Sequence, residues 1–179
     1  MSWRVGVSLL LLGCLEVQAQ SQVGTSCQSR ADGGHVFSLE QVHDSLSLLV
    51  LTGADGHSNT WQLPYPVYQF QTGDVDGDGV DDAMVGVIKS TRFYPEKARR
   101  LFIFKNKNGY VRPMWMGSKL GGILVDFRYA DGRIRSLERT VDNRYFVAEY
   151  RWQGFGMVFE RFLATNLTEQ QGQESFSHN

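Results

Sequence analysis

The chain has 179 residues, 42% of them hydrophobic and 21% charged, with 18 Lys and Arg against 19 Asp and Glu. Those proportions describe one ordinary globular domain rather than a disordered tail or a fibre, and a domain of roughly 150 residues buries about 70% of its unfolded surface, enough for a core without disulfides. A net charge of −1 gives no general pull toward nucleic acid, which is not expected as a partner. Beyond the first dozen positions no apolar run reaches the roughly 18 residues that cross a bilayer, so no transmembrane span is expected in the mature chain.

The amino terminus reads as an address. Arg4 precedes an apolar, leucine-rich stretch from Val5 to Leu15, and polar residues follow from Glu16 to Gln22. Charged, apolar, polar is the order of a secretory signal. Two processing outcomes compete. Val17-Gln18-Ala19 places small residues where a signal peptidase reads, leaving a chain that starts at Gln20, whereas Leu11-Leu12-Gly13-Cys14 resembles a bacterial lipobox with Cys14 as the lipidated residue and a lipid anchor as the result. Either route takes Cys14 out of disulfide chemistry and leaves Cys27 alone, so no disulfide framework is expected. The expected layout is a signal peptide over 1–19, or a lipoprotein signal ending before Cys14, then a flexible leader over 20–34. The destination is secreted, periplasmic or outer-envelope.

From residue 35 onward short β-rich runs alternate with turn dipeptides, and no helical period of useful length appears. The spacing predicts strands over His35 to Val42, Ser45 to Thr52 and Ser58 to Leu63, separated at His43-Asp44 and Asp55-Gly56. A second group follows at Val67 to Thr72, Ala83 to Ile88, Arg100 to Lys105 and Tyr110 to Met116, the last two joined around Asn108-Gly109. Leu101-Phe102-Ile103-Phe104 is apolar at every position, which predicts an interior strand covered on two sides. In the third group Asp131-Gly132, Asp142-Asn143 and Gln153-Gly154 fall 11 residues apart between Asp126 and Leu163. Such dipeptides supply the positive φ angles of tight hairpin turns, so four strands in a meander are expected. Sheets repeating every 40 to 50 residues or so have the period of propeller blades. The fold expected over 35–164 is therefore a single all-β domain of antiparallel meander sheets in about three blade-like units, packed as a compact propeller-like barrel or sandwich. Residues 165–179, rich in Gln, Ser, Asn and Glu, are expected to form a disordered tail.

The sharpest motif is the acidic loop Gly73-Asp74-Val75-Asp76-Gly77-Asp78-Gly79-Val80-Asp81-Asp82. A hard cation such as Ca²⁺ takes six to eight oxygen ligands, and carboxylates at alternate positions can supply them. Asp74, Asp76 and Asp78 can turn inward, Gly79 permits the bend, the Val80 carbonyl can add an oxygen, and Asp82 can close the sphere. Five carboxylates in nine residues with no base among them would repel one another when empty, which favours a bound Ca²⁺ over a plain turn. An EF-hand is excluded, because its twelfth position is Val85 rather than an acid and helices do not flank the loop.

An aspartate series of this spacing, running into the strand Ala83-Met84-Val85-Gly86-Val87, resembles the calcium loops of FG-GAP and VCBS repeats, found in integrin-type and bacterial secreted propellers. The resemblance covers Val67 to about Met116. It implies Ca²⁺ ligation by Asp74, Asp76, Asp78, Val80 and Asp82, and a structural rather than a sensing role for the ion.

Nine basic residues against one acid lie between Lys89 and Lys119, directly after a loop that carries five negative charges. A surface so polarised suits an anionic glycan, a lipid headgroup or an acidic envelope protein. Arg92, Tyr94, Arg99 and Arg100 are the candidate contacts there, with Phe155 at a hairpin tip as a fifth. Glu138, Glu149, Arg151, Glu160 and Arg161 read as cross-strand charge pairs. No nucleophile elbow, zinc-protease helix or phosphate-binding glycine loop occurs. The expected function is that of an exported, non-catalytic, calcium-stabilised β-module that binds another macromolecule. A secreted carbohydrate-active hydrolase is the first rival, and a small envelope enzyme inhibitor using the connection Ser90 to Arg99 is the second.

Overall fold

The structure, a computed structural model, describes residues 34–92 and 94–178. The signal segment, Cys14, Cys27 and all of the expected leader except Gly34 lie outside the described residues.

Among the described residues, eleven strands and one helix follow in chain order. β1 (Val36–His43), β2 (Leu46–Thr52) and β3 (Ser58–Leu63) form the first sheet. β4 (Val67–Gly73), β5 (Asp82–Lys89), β6 (Ala98–Lys107) and β7 (Tyr110–Met116) form the second. β8 (Ile123–Ala130), β9 (Arg133–Arg139), β10 (Tyr145–Gln153) and β11 (Gly156–Leu167) form the third, and α1 (Glu169–His178) follows. Every neighbouring pair is antiparallel and consecutive in sequence, so each sheet is a meander. The Asp131-Gly132 turn shows why the sequence marks the strand ends so sharply: φ is 51° at Asp131 and 74° at Gly132, the mirror-image geometry whose twist matches the strands it joins.

The three sheets stack in chain order, and the period-2 alternation of their strands decides which core each side chain enters. Ala83, Val85, Val87, Phe102 and Phe104 of the middle sheet face Phe37, Leu49, Leu51 and Leu63 of the first. Their neighbours Met84, Leu101 and Ile103 point the other way, against Phe127, Ile134, Phe146, Ala148 and Tyr150 of the third. The stretch Leu101 to Phe104 is at most 2% exposed, so β6 is the doubly covered interior strand its composition predicts. Burying a Phe or Leu fully stabilises the fold by about 1.5–3 kcal/mol relative to leaving it exposed. None of the sheets closes into a barrel; of the two packings expected from the sequence, the sandwich is the one formed.

The carboxy-terminal stretch corrects an expectation. Residues 165–179 were expected to be disordered, yet β11 runs to Leu167 and α1 follows at once. Thr168 and Gln171 form a reciprocal cap, in which the Thr168 N–H donates to Gln171 Oε1 at 3.0 Å and the Gln171 N–H donates to Thr168 Oγ1 at 3.4 Å. This is the Thr-x-x-Gln capping box. Phe176 then packs with Leu137, Tyr145 and Val147 on the outer face of the third sheet, and Gly172 lets the helix backbone come close to Tyr145. One buried ring on an otherwise polar helix leaves too weak a period for the composition to reveal.

Candidate functional site

Two surfaces hold the residues singled out by sequence. The first is the acidic loop between β4 and β5. Asp74, Asp76 and Asp78 converge there, with one carboxylate oxygen of each within 4.8 Å of the others. The same carboxylates shape the loop. Gly77 and Gly79 donate their N–H groups to Asp74 at 2.7 and 2.9 Å, and the Val80 N–H donates to Asp78 Oδ1 at 3.0 Å. Gly79 has φ of 85°, so the bend the sequence assigns to it is present and would strain any residue with a Cβ.

Two expectations change in this loop. Asp82 does not join the three-oxygen cluster. It is 1% exposed, and its Oδ2 accepts the Val75 N–H at 3.1 Å. Burial, reinforced by the neighbouring Asp76 carboxylate, pushes its carboxyl up to about 7. The loop is also not without a cation of its own. Lys105, on β6, places its ammonium between Asp76 and Asp78, hydrogen-bonded to the first and 3.0 Å from Oδ2 of the second. Partial burial disfavours the charged ammonium, but those two carboxylates outweigh it and raise the Lys105 pKa. Burial likewise works against ionised Asp78, and the hydrogen bonds from Lys105 and Val80 overcome it, holding the carboxyl below its usual range. The repulsion expected of an empty loop is therefore relieved by a residue 27 positions away from Asp78.

The donor set still suits a hard cation in kind, because three carboxylates share a focus and oxygen is what Ca²⁺ prefers. Lys105 holds two of the oxygens that such an ion would use.

The second surface lies at the ends of β5 to β7 and along the third sheet. Arg92, Tyr94 and Arg100 line one pocket of about 720 Å³ together with Lys89 and Lys119. Arg99 is not part of it. Its Nη1 donates to the Val125 carbonyl and its guanidinium lies 4.6 Å from the Tyr68 ring centroid, so it ties the middle sheet to the third. Phe155 stands at the β10–β11 hairpin tip, 98% exposed, and lines neither this pocket nor the next.

Beside the basic pocket, and sharing Lys119 with it, is an aromatic shelf of about 490 Å³ formed by Leu120, Phe146, Tyr150, Met157, Phe159 and Phe162. The Phe159 and Phe162 rings lie 4.7 Å apart, and each also meets a ring of β10, Tyr150 at 5.9 Å and Phe146 at 5.5 Å. Residues three apart in a regular strand face opposite sides. Here Glu149 pairs with Arg161 but Tyr150 pairs with Phe159, and this bulge brings both rings to one face. Strict alternation conceals the shelf; a bulge cannot be read from spacing.

The connection joining pocket and shelf is held from below. Glu138 is fully buried and accepts hydrogen bonds from Ser136 Oγ at 2.6 Å and from the Gly122 N–H, while the Gly121 N–H donates to the Tyr150 hydroxyl at 2.9 Å. Glu138 is thus not the cross-strand charge pair its position suggests. Arg133–Glu160, Arg135–Glu149 and Arg161–Glu149 are such pairs.

The fold and these surfaces define an all-β protein of three stacked meander sheets. No family model matches the chain, and no curated protein matches it. Among solved structures it is similar to a Xanthomonas type IV secretion system related protein, at 12% identity and a TM-score of 0.41, with 81% of this chain and 83% of that one covered.

Proposed function

We propose that the chain is an exported, non-catalytic β-module of the cell envelope or its surroundings, held at the Asp74–Asp82 loop by Ca²⁺, that binds another macromolecule. The observation that carries the binding role is the aromatic shelf adjoining the basic pocket. Phe159 and Phe162 are 45% and 56% exposed, although they stack on each other and on β10. Clustered exposed rings beside a charged rim are the usual composition of a contact surface. The calcium role is supported by the convergence of Asp74, Asp76 and Asp78. At free Ca²⁺ about ten times its dissociation constant, linkage would add about 1.4 kcal/mol to stability.

Affinity capture from an envelope fraction, with and without a chelator, tests the binding half. The wild-type chain is expected to retain a partner in Ca²⁺ and to release it in chelator. The double variant Phe159→Ser/Phe162→Ser is expected to retain none while keeping the wild-type fold by circular dichroism, with a lowered Tm from the lost ring contacts. Retention of nothing by the wild type in either condition overturns the binding role. Calcium titrated into metal-stripped protein tests the other half, and no heat together with an unchanged Tm overturns it.

A further inference from the structure

We propose that the pocket over Arg100 is a binding site for an oxyanion of the phosphate type. This names the chemistry taken by part of the contact face described above, and rests on that face being a binding surface. Lys89, Arg92, Arg100 and Lys119 line the pocket, and none of its described lining residues is acidic. Among the described residues no carboxylate pairs with Lys89, Arg100 or Lys119. Lys89 is held in place by neutral groups alone, donating to the Tyr65 hydroxyl at 3.2 Å with its ammonium 4.4 Å from the centroid of that ring.

Arg100 and Lys119 meet at one aromatic ring. The Arg100 guanidinium carbon lies 5.5 Å and the Lys119 ammonium 5.7 Å from the Tyr94 centroid. A tyrosine face attracts a cation only weakly, so the ring leaves both positive charges without a counter-ion. Arg100 itself carries the second, independent sign. It is only 9% exposed, and its Nε is a buried donor with no hydrogen-bond partner. A buried donor without a partner is costly, and a guanidinium is shaped to give two parallel hydrogen bonds to one oxyanion.

The charge balance selects the kind of anion. Lys89, Arg100 and Lys119 bring three positive charges to the pocket, and a carboxylate would bring a single negative charge to them. A phosphate group brings about −1.5 to −2 and three acceptor oxygens, enough to engage Arg100, Lys119 and the Ser118 hydroxyl together. A free phosphate and the headgroup of an anionic phospholipid share this chemistry.

The test uses the full chain and follows the arginine Nε–Hε signals by NMR, with sodium phosphate titrated against sodium chloride at matched ionic strength. The Arg100 signal is expected to shift saturably with phosphate and not with chloride. Arg100→Lys and Lys119→Gln are each expected to weaken the apparent affinity at least fivefold; Lys119 is exposed, so the second variant keeps the test valid even if the first disturbs folding. Sedimentation with vesicles of phosphatidylglycerol or of phosphatidylcholine separates the sources. Binding to the first alone assigns a lipid headgroup, and a phosphate response without vesicle binding assigns a soluble ligand. Phosphate acting only as chloride does, or both variants responding as the wild type does, overturns the proposal. Partner capture that survives in Lys119→Gln while phosphate is silent overturns the pocket alone. A phosphate response with no captured partner overturns the macromolecular role and leaves the pocket standing.

Discussion

The ammonium of Lys105 sits 3.0 Å from Asp78 Oδ2 and is hydrogen-bonded to Asp76 as well, so the loop's negative charge is met by the neighbouring strand. β5 pairs with β6 such that Ala83 lies opposite Phe104. That register carries Lys105, next along β6, to the mouth of the loop.

Lys105 and a divalent cation compete for the same oxygens. Lys105→Met is therefore expected to tighten Ca²⁺ binding by about tenfold, the equivalent of about 1.4 kcal/mol, and to lower the Tm of the metal-stripped protein. Calorimetric titration and melting of both proteins with and without Ca²⁺ check this. Equal calcium affinity in the two proteins would show that the lysine does not contest the site.

Glu149 makes a different kind of contact. Its carboxylate is 1% exposed and accepts from Arg135 Nε and Arg161 Nε, both at 2.7 Å, on the strands either side of it. Removing Arg135 leaves the buried carboxylate with Arg161 as its remaining arginine, and losing a hydrogen bond to a charged group costs about 1.5–3 kcal/mol. Arg135→Ala is expected to lose stability in that range by urea denaturation at pH 7. Arg161→Ala, whose side chain is 62% exposed, should lose clearly less.

The same group sets an acid dependence. Burial opposes ionisation of Glu149, but the hydrogen bonds from Arg135 and Arg161 more than offset it and hold its pKa below the usual glutamate value. A lowered acid contributes stability that is fully present above its unfolded pKa, about 4.3, and lost as pH falls through the folded one. Stability measured from pH 6 down to pH 2 should therefore fall more steeply in the wild type than in Glu149→Gln. Parallel curves would remove Glu149 from the acid response.

The helix at the carboxy terminus is expected to matter for stability. Thr168→Ala should cost about 1 kcal/mol through loss of the cap, and Phe176→Ala about 3 kcal/mol through loss of a ring packed on Leu137 and Val147. Thermal or urea unfolding of the two variants measures both. A neutral Phe176→Ala would mean that the third sheet does not need its helical cover.

Much of the fold could be read from local pattern. Turn dipeptides with the right φ preferences bracket β9 and β10, and the unbroken apolar run at Leu101 to Phe104 marks β6 as interior, because a strand buried on both faces has no polar side to show. The helix was legible only in part. Its capping box is present at Thr168 and Gln171, but a single packed ring gives no amphipathic period.

Sequence alone determined the three meanders, their order, and an acidic loop whose aspartates converge, since turns and alternation act over a few residues. Tertiary structure decided that the sheets stack instead of closing, that Lys105 enters the loop while Asp82 turns to the Val75 amide, and that Arg99 ties two sheets together while Arg100 lines a pocket. It also decided, through one bulge in β11, that Phe159 and Phe162 share a face. These outcomes depend on strand register and on contacts between residues far apart in the chain, and short-range spacing carries no information about either.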